Sequence, residues 1–295
     1  MTQLTNKLFA ITLPIVLMLA LAAGTTSCNS ARVYDEVVTI HTRYGDMKVI
    51  LFEETPIHKA NFLELAREGR YDSTHFHRVI KNFMIQGGDL TQKPDPEEEP
   101  SPLDAEFVKQ FFHAKGFLAA ARQPDNVNPK KQSSGSQFYI VQGQQWTREQ
   151  LTTDQQKLGL LLQQCYREGL YPEKMQVLDS LYKAKDFDNY QTAVAEMTPV
   201  LEAHYKTSVQ VEVPLDRLTA YTTKGGAPHL DDEYTVFGKV VEGMEVIDQV
   251  ATVPVTGPRN STPVEKEYMT MEVERVKRKD ITSKYGYVYP TEEAN

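Results

Sequence analysis

The chain has 295 residues, of which 40% are hydrophobic and 24% charged, with a formal net charge of −8. These fractions exclude collagen-like, mucin-like and wholly disordered polypeptides, and the acidic balance gives no electrostatic support for nucleic-acid binding. Two cysteines cannot build a disulfide scaffold, and the length suffices for one large domain or two ordinary ones.

Residues 1–27 read as a secretory signal. Lys7 precedes an apolar run over 8–23, broken only by Thr12 and Pro14, and Gly24-Thr25-Thr26-Ser27 closes it with small and polar residues. The run is short and weakly flanked for a transmembrane anchor. Cys28 resembles the lipidation site of a bacterial lipoprotein, although Thr25 stands where such sites prefer an aliphatic residue. The expectation is an exported lipoprotein held on a membrane through Cys28 and facing the periplasm or cell exterior; a plain cleaved signal and an uncleaved anchor are the alternatives. Residues 28–36 read as a polar tether. Cys165 is then left unpaired as a small core residue, whereas an unacylated Cys28 in an oxidising compartment could join it.

Val37–Thr42 and Met47–Phe52, either side of a Gly45-Asp46 turn, predict a β-hairpin. Thr55-Pro56 predicts a helix with Thr55 as N-cap and Pro56 at its first position, stopping near Gly69. Strands are expected over 75–80, 83–86, 116–121, 138–141, 235–241 and 268–276. Alternation over 75–80 would place Phe76, Arg78 and Ile80 on one face and His77 and Val79 on the other. The acidic, proline-broken stretch 93–102 reads as an exposed loop. Many short strands with few helices point to a closed antiparallel barrel rather than a doubly wound sheet. Between Trp146 and about Ala220, apolar residues recur at helical spacing through 151–170, 172–185 and 190–205, predicting about three amphipathic helices inserted into a β protein.

The run from Phe76 to Asp89 (FHRVIKNFMIQGGD) resembles the signature of the cyclophilin-type peptidyl-prolyl cis–trans isomerases. Ser134–Ile140 (SGSQFYI) and Tyr234–Met244 (YTVFGKVVEGM) resemble two later blocks of the same family, in the same order. The resemblance implies a mainly β, closed antiparallel eight-stranded barrel capped by two helices, here carrying an inserted α-helical subdomain. Residues 37–278 would form that domain, interrupted by the insertion at 147–220 and followed by a tail at 279–295.

The resemblance also implies the site. Arg78 would donate to the proline nitrogen, which regains a lone pair as the amide twists; guanidinium suits this because it stays protonated and holds its N–H groups in a planar fork. Gln86 would bond the substrate backbone and hold the arginine side. Phe83 and Met84 would line the apolar cup that grips the proline ring. Ala121 matches the small residue that leaves room for the substrate backbone, and Gln137 shares its strand face with Tyr139. In that position the family carries a phenylalanine, so the Tyr139 hydroxyl needs a partner or an outlet to water, while Phe138 should point into the core. Tyr234 stands where many relatives carry a pocket histidine. Counting forward from Tyr139 puts the family's rim tryptophan one residue past Trp146; counting back from Phe237 puts it at His229, with Leu230 next as a substrate-lining residue. The rim position bears on cyclosporin-type inhibitors, for which the family is known. No cofactor or metal is called for: the His75/His77 pair has no third ligand at suitable spacing.

The function expected is isomerisation of X–Pro bonds in unfolded or exported polypeptides. The alternative is a non-catalytic proline-binding holdase at the cell envelope. The insertion leaves near Trp146 and returns at Gly225–Leu230, so both its ends are expected near the pocket mouth.

Overall fold

The computed structural model describes residues 33–291. The expected signal, Cys28 and most of the expected tether lie outside the described residues. The strands are β1 (Tyr34–Thr42), β2 (Gly45–Leu51), β3 (His75–Phe76), β4 (Arg78–Ile80), β5 (Met84–Gly87), β6 (Phe117–Ala120), β7 (Phe138–Val141), β8 (Val236–Glu242), β9 (Val255–Thr256), β10 (Thr262–Pro263), β11 (Glu267–Tyr268) and β12 (Thr270–Lys277). Eight of them form one sheet in the order β12-β1-β2-β8-β6-β7-β5-β4, and the others make the two-stranded ladders β10–β9 and β11–β3. The protein is therefore mainly sheet, with helices added.

The described residues divide into two compact units, one of residues 38–273 and one that joins 33–37 to 274–291. In the larger, Val38, Ile40, Val49, Phe62, Phe76, Val79, Ile85, Leu118, Phe138, Ile140 and Phe237 are among the side chains that fill a single core. Helices α1 (Pro56–Arg67) and α7 (Met244–Val250) lay Phe62, Leu63, Val246 and Ile247 into it.

Pro56 does open α1, but Thr55 does not cap it. The Thr55 hydroxyl turns back to donate to Phe52 O, and the Glu106 carboxylate accepts from the Ile57 and His58 N–H groups instead. Glu106 also lies 2.6 Å from His58 Nδ1, and His58 Nε2 lies 2.8 Å from Ser133 Oγ. A carboxylate nearly fifty residues away thus satisfies the helix N-terminus.

The expected strand over 75–80 is broken at His77. Phe76 and Val79 are both buried in the core, and Arg78 and Ile80 are half-buried. Phe76 is therefore not on the Arg78 face. The break arises because β3 pairs with β11 while β4 pairs with β5, so one short run serves two partners.

Helices α2 (Arg148–Leu151), α3 (Gln155–Arg167), α4 (Pro172–Ala184), α5 (Phe187–Tyr205) and α6 (Leu215–Thr223) follow β7. The middle three match the predicted periodicities, and they close around Leu158, Leu161, Cys165, Met175, Leu178, Val194, Met197 and Leu201 as a separate apolar cluster. Cys165 is a buried thiol within it. The outer two fall outside those periodic runs: α2 is a single turn, and α6 (LDRLTAYTT) is only nine residues long. Leu151, Leu218 and Tyr221 pack instead with Phe112 and Ala114.

The exit and return of this helical stretch are sewn together. Gln144 and Gly226 exchange backbone hydrogen bonds, and Trp146 donates from its backbone to Tyr221 O and from its indole to Gly226 O. A Cβ on Gly226 would fall 2.4 Å from His113 O and from the Tyr221 ring, so only glycine permits this approach.

In the smaller unit, β1 begins at Tyr34, inside the stretch expected as a tether. Tyr34 carries the Arg275 guanidinium 4.4 Å above its ring, and Asp35 accepts from the Tyr289 hydroxyl, partners invisible to local composition. The expected tail includes a helix, α8 (Arg278–Tyr285), ended by Gly286. No helix among the described residues is long and apolar enough to cross a membrane.

Candidate active site

Strands β4, β5 and β7 lie side by side, with Arg78 opposite Gln86 and Gln86 opposite Tyr139. Alternation then sorts their side chains. Ile85, Phe138 and Ile140 enter the core, while Met84, Gln86 and Tyr139 take the other face. Phe138 and Tyr139 thus point as their order predicts.

On that face, Arg78 Nη1 donates to Gln86 Oε1 at 3.1 Å, and Gln86 Nε2 donates to Gln137 Oε1 at 3.3 Å. Arg78 is half-buried; burial, with Arg259 nearby, holds its guanidinium below the usual arginine value. An arginine guanidinium stays protonated in proteins, so the site keeps a cation. Partial burial also strengthens its field on any neighbouring dipole.

The apolar wall follows. Met84 and Tyr139 are buried, and the half-buried Phe83 holds its ring 5.2 Å from that of His229. The rings of Tyr139 and Tyr234 meet edge to face at 5.9 Å, and the Arg122 guanidinium covers Tyr234 at 4.6 Å. Ala121 bonds Gln137 through its backbone N–H. A cleft of about 910 Å³ is lined by Gln86, Ala121, Gln137 and Glu99–Pro102 among others, but not by Phe83, Met84 or Tyr139.

Of the positions reached by the two counts, His229 is the one whose ring lies against Phe83. Trp146 packs with Phe112, Leu151, Leu218 and Tyr221. Leu230 follows His229 in the turn Pro228–Leu230 and is partly exposed, so the contact with Phe83 belongs to its neighbour. The rings of His75 and His77 lie 6.4 Å apart, and among the described residues no group of three or more metal-binding side chains is gathered.

The partner required by the Tyr139 hydroxyl is His113, whose Nε2 lies 3.0 Å away; His113 in turn meets Asp231. Neither residue stood out in the sequence. The available signal was the hydroxyl itself: a tyrosine in an apolar position demands a buried polar neighbour.

The profile of the family described as cyclophilin type peptidyl-prolyl cis-trans isomerase/CLD matches residues 37–160 and 220–274, leaving out most of the helical stretch. A Streptococcus pyogenes protein named as a bifunctional phosphatase/peptidyl-prolyl cis-trans isomerase is 31% identical over 80% of this chain. The chain spans 38% of that relative's length. A Staphylococcus epidermidis protein carrying a peptidyl-prolyl cis-trans isomerase name is 29% identical over 74% of this chain and 82% of its own. A crystal structure of a Cryptosporidium parvum cyclophilin type peptidyl-prolyl cis-trans isomerase aligns at 21% identity and a TM-score of 0.48, covering 82% of this chain and 98% of the other. With the family profile matched over more than half its length, the chain belongs to the cyclophilin-type peptidyl-prolyl cis–trans isomerases.

Proposed function

We propose that the chain isomerises X–Pro bonds in exported polypeptides, with Arg78 stabilising the twisted amide over a cup formed by Phe83, Met84 and Tyr139. The observation that carries this reading is the Arg78–Gln86 hydrogen bond, which fixes a permanent cation at the edge of that cup.

The chemistry asks for little more. Twisting an X–Pro amide costs about 18–20 kcal/mol because resonance is lost. A barrier of ~20 kcal/mol passes at about 10⁻² per second, and raising this to about 10³ per second removes roughly 7 kcal/mol. No bond breaks, so neither nucleophile nor electron carrier takes part. At the transition state the proline nitrogen pyramidalises and becomes an acceptor, which neither planar isomer offers. A fixed N–H donor therefore binds the twisted form preferentially. The cup holds the proline ring while the preceding carbonyl swings, and Gln86 anchors the peptide backbone beside it. Ala121, Gln137 and the neighbouring cleft suit the residues that precede proline. Leu230 and Tyr234 border the far side.

The sheet is read here as a closed barrel in which the β3–β11 ladder brings its two edges together, a reading supported by the pairing of Glu267 with Phe76 and Tyr268 with His75. Cys28 is proposed as the lipidated residue of an envelope protein, on the strength of the apolar run before it; palmitate labelling of wild type but not of Cys28→Ser is the expected result. Cyclosporin-type macrocycles are proposed ligands of the cup.

The deciding experiment is a protease-coupled proline-peptide assay on wild type and Arg78→Ala. Wild-type turnover with a loss of about 10²–10³ in the variant supports the mechanism; equal rates would sink it. A second reading, a proline-binding holdase, is favoured by the exposed Leu160, Tyr166, Val177, Tyr182 and Phe187 on the inserted helices. It predicts that Arg78→Ala refolds a proline-limited client as well as wild type does.

A further inference from the structure

Replacing an apolar cup residue by tyrosine adds a hydroxyl that is costly to bury and contributes nothing to gripping a proline ring. Here the cost is met by a chain of hydrogen bonds that leads away from the cup. Tyr139 is 5% exposed and His113 fully buried, and the Tyr139 hydroxyl lies 3.0 Å from His113 Nε2. His113 Nδ1 lies 3.0 Å from Asp231 Oδ1, and the His113 backbone N–H donates to the same oxygen at 2.9 Å. The Asp231 carboxylate also accepts from the Tyr221 hydroxyl at 2.8 Å and from Arg217 Nη1 at 3.2 Å. Both of these last residues belong to α6, on the return limb of the inserted helical stretch.

The directions of the bonds follow from the end that has no choice. A carboxylate accepts only, so a neutral His113 carries its proton on Nδ1 and presents a lone pair at Nε2. The Tyr139 O–H must then donate to it. Burial holds the Tyr139 phenol well above its usual value, so the donor keeps its proton. The Tyr139 hydroxyl, both His113 ring nitrogens and both Asp231 oxygens each have a partner, which favours one orientation of the Tyr139 ring.

We propose that His113 and Asp231 are positioning residues for the isomerase site, holding the Tyr139 ring through its hydroxyl and linking the cup to Arg217 and Tyr221 of α6. The consequence for catalysis passes through the sheet: Tyr139 stands directly opposite Gln86, the residue that holds Arg78. A cup wall that tilts would carry the proline nitrogen away from the guanidinium, and catalysis by a fixed donor is steep in that distance. The helical stretch, whose three long helices pack around an apolar cluster of their own, thereby gains a polar tie to the reacting centre.

This inference rests on the isomerase reading, and the test separates the two. Full-length protein is assayed on an Xaa-Pro tetrapeptide by NMR exchange, which resolves kcat from KM, with folding checked by thermal melting. Tyr139→Phe, which removes one atom, should lower kcat about tenfold with KM within about twofold. Arg217→Gln should lower kcat about threefold in the wild-type background and not at all in the Tyr139→Phe background, because its effect travels through the hydroxyl. Asp231→Asn, which retains an acceptor for His113, should keep more activity than Asp231→Ala. Multiplying effects of Arg217→Gln and Tyr139→Phe, or an unchanged kcat in Tyr139→Phe, would overturn the relay while leaving the isomerase reading in place. A wild type without turnover would overturn both.

Discussion

The Arg78 guanidinium is held by Gln86, its partner on the adjacent strand, through a 3.1 Å bond from Nη1 to Oε1. The side chain that would act at the transition state is therefore oriented before any peptide arrives, and the group that orients it is itself bonded to Gln137. Preorganisation of this kind avoids the entropic cost of ordering a long flexible side chain during the reaction.

Gln86→Leu keeps the volume but releases Arg78. We expect kcat/KM to fall about tenfold, while Arg78→Lys, which loses the planar fork, falls about 10²-fold. The coupled peptide assay measures both; a Lys variant as active as wild type would show that charge alone suffices.

His229, not a tryptophan, faces Phe83 at the rim. An imidazole offers less apolar surface than an indole to a large hydrophobic macrocycle. His229→Trp is expected to tighten cyclosporin binding by at least about tenfold, read by fluorescence of the introduced indole. Unchanged affinity would remove His229 from the inhibitor-binding rim.

Glu106 makes an acid-sensitive joint. Burial acts to raise its carboxyl, but the hydrogen bonds from the His58 ring and from the His58 and Ile57 N–H groups outweigh burial and hold it below the ordinary glutamate value. A depressed folded value means stability that is present above the unfolded value and is lost as pH falls through the folded one. Urea midpoints should therefore decline as pH drops below about 4.5, and Glu106→Gln should flatten that decline. At neutral pH the same variant should cost about 1–3 kcal/mol.

Gly226 lies where two segments cross with no room for a side chain. Gly226→Ala should destabilise by about 1–3 kcal/mol and shift the urea midpoint without changing the slope. It should also lower turnover, since the atoms displaced belong to His113 and Tyr221.

Leu201 is fully buried in the cluster of the long inserted helices. Leu201→Ala is expected to cost about 2–5 kcal/mol locally. Hydrogen exchange should accelerate across 155–205 while protection of β5 to β7 and short-peptide turnover stay near wild type. Equal loss of protection throughout would show that the two clusters unfold as one.

The sequence by itself determined whatever repeats at short range. Alternation assigned Phe138 to the core and Tyr139 to the opposite face, helical spacing marked the three long inserted helices, and the blocks around Arg78, Gln137 and Phe237 announced the family. Tertiary structure decided what depends on partners far along the chain. It set the break at His77, where one run serves two strands, and the capping of α1 by Glu106 in place of Thr55. It also laid the His229 ring against Phe83 and bonded Tyr139 to His113, and His113 to Asp231. The physical reason is the same in each case. Periodicity records which face of an element is buried, a local property, whereas the partner of a buried polar group is fixed only when topology brings distant segments within hydrogen-bond reach.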